Sequence, residues 1–447
     1  MAISSDIITN KVRYYRPILY AAIIIVGCVV ITCTLINPLW LSLNLHVPGE
    51  PESKVDFTQP VDTVFYVRNA EYGYNWNITD PISSAFHPLL VWATRLLPNV
   101  IAANYRLWFI SLVSAFISLI LLYEYINEIS SIKLPAEFLF LVPILPGGIS
   151  IATGNAEFSC LLFTTLMLLG VIRKWPWYLV MCCGVLAILT KPNALYIVPA
   201  LAVYAFLHQN IQIYFRTLDP AALHESIANY IFKSEKEKNS NNEIISKHSY
   251  TLGITQEVSL NDIKVTRNCI FGISGIIITW LLWTIYVDIN LGQFGSYWEI
   301  RKFYTVPLSA GPFSLLQRTV SLLFQYSNLG EQLKFATAIL IPLIHIWLLS
   351  CISLKNERHR LAILASILAM MFIAFQANNP NKIIVYVITY PGNFAIGIIF
   401  LYQAFYTNES KYKLRTIWWR LGGISYIVFC VAMVAFYIIG TPLAWYY

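Results

Sequence analysis

Apolar runs of about twenty residues recur along almost the whole chain, more than a soluble core would bury. The first, Pro17–Leu39, contains no charged residue. The hydrocarbon core of a bilayer offers no water to backbone N–H and C=O groups, so a run that crosses it must satisfy them internally, as a helix or in a closed barrel. The runs here are continuous rather than alternating, which predicts helices. Composition agrees: 12% of residues are charged and 57% hydrophobic, against about 25% charged in a soluble domain. The fold class expected is an all-α polytopic membrane protein.

Between the runs the cations form short clusters: Lys11, Arg13 and Arg16; Arg173 and Lys174; Lys355, Arg358 and Arg360; Lys411, Lys413 and Arg415. Cytoplasmic loops carry such clusters. Placing them all on one side gives about 11 spans, with the first running outward. The net charge of +7 then belongs to topology rather than to a nucleic-acid surface. The spans expected after Pro17–Leu39 are Tyr105–Ile126, Leu134–Ile151, Glu157–Val171, Trp177–Leu189, Ala194–Leu207, Cys269–Val287, Phe335–Ser353, Leu361–Ala374, Ile383–Phe405 and Trp418–Ile439. Ala85–Leu97 and Pro312–Tyr326 are half-apolar and fit helices lying in the interface. One transmembrane domain fills 1–447, with a long first outer loop at 41–103 and a hydrophilic cytoplasmic insertion at 209–266.

The eight cysteines all lie in or beside apolar segments, without metal-ligand spacing or a disulfide framework. No phosphate-cradling glycine loop and no cysteine or serine nucleophile motif is present. No cofactor is expected, and a divalent metal is left open.

The outer face carries cations that the positive-inside rule disfavours: Arg68, Lys191, Arg301, Lys302 and Lys382. Converging, they suit a phosphate; scattered, each is an interfacial anchor that snorkels. Asp62 lies in Val61-Asp-Thr-Val-Phe-Tyr-Val-Arg-Asn-Ala-Glu-Tyr-Gly-Tyr74. On a helix, Asp62, Phe65, Tyr66, Asn69 and Gly73 share a side. By spacing alone Asp62 is a helix N-cap; held against aromatics, a carboxylate also serves as a general base. Glu157 complements a helix N-terminus or supplies a polar group at the outer mouth of the bundle. His87 is a structural histidine or a proton carrier. His345, inside an apolar span, reads as a hydrogen-bonded packing residue.

Five elements, in order, resemble a family. They are Val61-Asp62 with Tyr66 and Ala70-Glu-Tyr-Gly73-Tyr74, then Phe86-His87-Pro88-Leu89, then Gly154-Asn155-Ala156-Glu157, then Thr190-Lys191-Pro192-Asn193-Ala194, and Tyr386-Val-Ile-Thr-Tyr390-Pro391. Together they resemble the GT-C class of membrane glycosyltransferases, and within it the PIG-V-like mannosyltransferases (GPI mannosyltransferase 2 and its prokaryotic relatives). The chain departs from the family's pattern at Val61, where the family has Trp, at His87, where it has Phe, and at Lys191, where it has Arg.

The resemblance implies a GT-C-like fold and transfer of a sugar, mannose in this family, from a polyprenyl-phosphate donor to an acceptor on the outer face. It implies inversion at the anomeric carbon, with Asp62 as the base on the acceptor hydroxyl. Lys191, Lys382 and Arg301 would then face the departing phosphate, and Tyr66, Tyr74 and Trp298 would stack on sugar or isoprenoid. Glu157, Asn193 and His87 would complete the substrate site. The partners implied are the polyprenyl-phosphate sugar and membrane lipids, with no nucleic acid. The Ile-, Asn- and Lys-rich composition favours a bacterial plasma membrane over the endoplasmic reticulum. A transporter or flippase of lipid-linked glycans is the alternative, but it would show two related halves, and the long first outer loop has no counterpart.

Overall fold

The computed structural model describes residues 4–42, 46–47, 50–54, 63–76, 86–154, 156–207, 260–297, 300, 317, 320–321, 329–376, 389–406 and 413–443. Among these the chain is helical apart from a short hairpin, β1 (His46–Val47) paired antiparallel with β2 (Glu50–Lys54). The helices are α1 (Ser4–Ile31), α2 (Asn37–Ser42), α3 (Thr63–Tyr72), α4 (Pro88–Leu96), α5 (Ala103–Ile129), α6 (Glu157–Ile172), α7 (Trp177–Thr190) and α8 (Val198–Phe206). Then come α9 (Leu260–Leu291), α10 (Leu329–Cys351), α11 (Glu357–Gln376), α12 (Pro391–Tyr406) and α13 (Lys413–Leu443).

Among the described residues, four segments are long and apolar enough to cross a membrane: Tyr15–Ser42, Ala103–Ile129, Ile263–Leu291 and Ile417–Ala435. Their outward faces are what water would reject. Ile18, Leu19, Ile23, Val26 and Val30 stand exposed along α1, and Ile270, Ile277, Ile278, Leu281 and Leu282 along α9. Continuous exposed apolar surface of this kind marks a lipid-facing wall. Inside it, Leu119, Leu122, Phe158, Met167, Leu168, Val180, Ile188, Leu201, Ile276 and Phe400 belong to one buried core.

Polar contacts sort into two ends. At the first, Arg173 binds Glu124 (2.5 Å) and Glu128 (2.8 Å), Lys355 donates to the Asn127 carbonyl (2.8 Å), and Ser130 bridges to Leu354. The cation clusters at 173–174 and 355–360 therefore share one end, the basic end. Thr63, Tyr66, His87, Glu157 and Lys191 gather at the other, the far end.

Three segments differ from the expected α-helices, the first being a π-helical stretch at Thr32–Ile36 that interrupts the first run between α1 and α2. Leu134–Ile151 consists of two 3₁₀ helices, Ala136–Ile144 and Gly148–Ala152. Pro135, Pro143 and Pro146 supply no N–H, which breaks α-helical hydrogen bonding. The run still joins the two ends: Glu137 accepts from Tyr20 (3.0 Å), and the Ala152 carbonyl accepts from Trp108 (2.8 Å). A 3₁₀ rise of about 2.0 Å per residue, against 1.5 Å in an α-helix, lets so short a run cover that depth. Ala194–Leu207 likewise opens as a 3₁₀ turn, Pro192–Ile197, before α8. The segment 209–266 gives its last residues to α9, which begins at Leu260; 208–259 lie outside the described residues, as does most of Pro312–Tyr326.

The link between the 3₁₀ helices is tight. Gly147 has φ +81°, and a Cβ on Gly148 would sit 1.7 Å from the Val142 carbonyl oxygen. That obstacle is backbone and has little room to move. Gly148→Ala is expected to destabilise the protein by about 1–3 kcal/mol, read as a lower thermal midpoint in detergent, whereas Gly27→Ala, which meets nothing within 4 Å, leaves the midpoint in place.

Candidate functional site

The far end is organised around the last turn of α7. A helix leaves its final carbonyls unsatisfied, and Pro192 has no N–H to offer the Ile188 carbonyl four residues back. His87, at the entry to α4, fills that gap through Nδ1. A carbonyl can only accept, so Nδ1 carries the proton. In the neutral ring Nε2 is then the acceptor, and the Tyr297 hydroxyl lies 3.3 Å from it. The Thr190 carbonyl takes its hydrogen bond from the Tyr66 hydroxyl of α3 (3.1 Å). The helices α3 and α4 thus cap α7 with side chains from far away in sequence.

The same turn delivers Lys191. Its ammonium pairs with Glu157, the first residue of α6, and the two side chains are 7% and 3% exposed. Asn193, two residues on, is also buried, and its Nδ2 has no hydrogen-bond partner among the described residues. Thr63 ties the start of α3 to the Gly154 carbonyl just before α6 (2.9 Å). Tyr66, Glu157, Lys191 and Asn193 are therefore brought to one end of the bundle by α3, α6 and α7.

Beside them stands an aromatic wall. Tyr74 stacks on Trp76 (5.3 Å) and meets Trp283 edge-on (5.5 Å); Trp283 stacks on Tyr286 (5.4 Å). A second apolar cluster, including Tyr66, Phe86, Val91, Leu107, Trp283 and Val287, fixes α3 and α4 to α5 and α9. Arg95 holds the end of α3 through the Ala70 (2.9 Å) and Asn69 (2.8 Å) carbonyls.

Asp62, Trp298, Arg301 and Lys382 lie outside the described residues. The sequence reading did not single out Asp288 or Tyr297. Asp288 is buried at the end of α9 and accepts from the Gly295 (2.9 Å) and Tyr297 (2.8 Å) amides, which places Tyr297 at His87. The signal was an aspartate just ahead of Gly292 and Gly295, both of which have positive φ. Among the described residues, no three His, Cys, Asp or Glu side chains gather as a metal would need. All eight cysteines are free, and His345 bonds the Ile341 carbonyl (2.7 Å).

Truncating His87 would leave the Ile188 carbonyl without the side chain that stands in for the missing Pro192 N–H. His87→Ala is expected to cost about 1–3 kcal/mol for that stranded acceptor, seen as a lower thermal midpoint in detergent.

The fold and its lipid-facing helices define an α-helical membrane protein. Compared with family models, characterised proteins and solved structures, the chain matches none.

Proposed function

We propose that the protein is a GT-C-like glycosyltransferase of about 11 spans, in a bacterial plasma membrane. It moves a sugar, mannose by resemblance, from a polyprenyl-phosphate donor to an acceptor at the far end of the bundle, on the outer side. The observation that carries this is the buried Glu157–Lys191 pair at the α7 corner. A buried ion pair is a poor stabiliser, since apolar residues of similar volume serve a fold as well or better. Ionisable groups kept in such a place mark function by default.

The chemistry follows from the residues in their resembling positions. Asp62 takes the proton of the acceptor hydroxyl as its oxygen attacks the anomeric carbon. The bond from that carbon to the phosphate oxygen breaks on the opposite face, which inverts the configuration. The lipid phosphate leaves with added negative charge, and preorganised cations at that point lower the barrier. Lys191, steered by Glu157, is the cation nearest to hand, with Lys382 and Arg301 joining it. The wall of Tyr74, Trp76, Trp283 and Tyr286 offers flat apolar faces to a sugar ring or isoprenoid unit. Tyr66, committed to the Thr190 carbonyl, orients the corner.

The test is donor choice. Purified protein in detergent is given radiolabelled mannose as the polyprenyl phosphate or as the nucleotide sugar, with a lipid extract as acceptor. Transfer from the lipid donor alone is expected; transfer from the nucleotide sugar would overturn the proposal.

A further inference from the structure

We propose that the basic end holds a second site, a pocket for a phosphate-bearing anion, separate from the transfer reaction. A cavity of about 240 Å³ opens where the ends of α5, α6 and α8 meet the starts of α9 and α11. Lys174, Lys355 and Arg358 bring three basic side chains to its lining, and His359 and Tyr204 add polar atoms. The one carboxylate in the lining, Glu128, is already bound by Arg173 at 2.8 Å, with Lys355 at 4.0 Å. The cavity therefore presents an excess of cations to whatever enters it.

Two features make this a built site rather than loose surface charge. Arg358 is buried and held in place: it donates to the Tyr204 carbonyl, and its guanidinium lies over the Tyr204 ring, 5.3 Å from the centroid. The Tyr204 hydroxyl is in turn fixed to His359 Nδ1 at 2.5 Å. A guanidinium set in one orientation suits phosphate oxygens. The second feature is Lys174. It has φ +58° and follows the C-terminus of α6, where the Trp175 amide reaches back to the Gly170 carbonyl (2.8 Å). Glycine fills that position without strain, whereas a side chain there is disfavoured. The chain nonetheless carries a lysine there, with its side chain on the cavity.

The positive-inside rule puts this end at the cytoplasmic face, where anionic headgroups and soluble phosphates are both present. Phosphate is the chemistry they share, and the experiment separates the sources. Full-length protein is followed by thermal unfolding, in detergent with inorganic phosphate against chloride of equal ionic strength, and in nanodiscs of phosphatidylcholine with or without phosphatidic acid. The comparison is Lys174→Gly/Lys355→Gln, in which glycine relieves the backbone and neither change touches the buried Arg358. The wild type is expected to gain stability, and the double variant to bind about tenfold or more weakly. A gain with phosphatidic acid alone assigns a lipid headgroup; a gain with inorganic phosphate as well assigns a soluble source. No gain with either probe, or an equal gain in the double variant, overturns the proposal.

Discussion

Lys191→Met is expected to destabilise the protein by about 3–5 kcal/mol, because it strands the Glu157 carboxylate in a site only 3% exposed. Glu157→Met strands the ammonium and is expected to cost a similar amount. Combining them removes both charges from the corner, and the double variant should recover to within about 1 kcal/mol of the wild type. Thermal unfolding in detergent reads all three. Additive losses in the double variant would mean that the two side chains do not act as a pair. The same series bears on function. If the pair serves the departing phosphate, the double variant folds and still fails to transfer sugar, since the corner cation is gone. A purely structural pair would restore folding and activity together.

Asp62→Asn is expected to leave folding intact and lower sugar transfer by about a hundred- to ten-thousandfold, the usual contribution of a general base. The substitution suits the question because asparagine caps a helix about as well as aspartate. α3 begins at Thr63, directly after Asp62, so a capping role survives the change. A carboxamide cannot accept the hydroxyl proton, so a catalytic role does not survive it. Loss of transfer at an unchanged thermal midpoint separates the two tasks.

The helical, apolar character of the chain was legible because lipid imposes a simple grammar of apolar runs, and two of the cation clusters, at 173–174 and 355–360, do share one end. The corner at 190–194 was legible too, since Pro192 cannot continue α7. The form of Ala136–Ala152 was not: hydropathy shows that a segment is apolar without showing its hydrogen-bond period, and three prolines mattered more than the pattern. Glu157 and Lys191 were each picked out, but as separate groups, because nothing local to α6 or α7 says that their ends meet. The tie between His87 and Ile188 was hidden for a similar reason. Its cause is the missing N–H of Pro192, and the residue that answers it lies in another helix. Asp288 was passed over because a lone aspartate after an apolar run resembles any solvated loop residue, whereas its two backbone hydrogen bonds shape the turn that carries Tyr297.

Sugar transfer by the purified protein in detergent, from radiolabelled polyprenyl-phosphate mannose to a lipid extract, decides between catalysis and a structural role when run in parallel for the wild type and Asp62→Asn with their thermal midpoints matched. Transfer by the wild type is expected, with at most about a hundredth of that rate in the variant. Equal transfer by both proteins, or none by the folded wild type across a panel of lipid-linked hexoses, would contradict the proposed function.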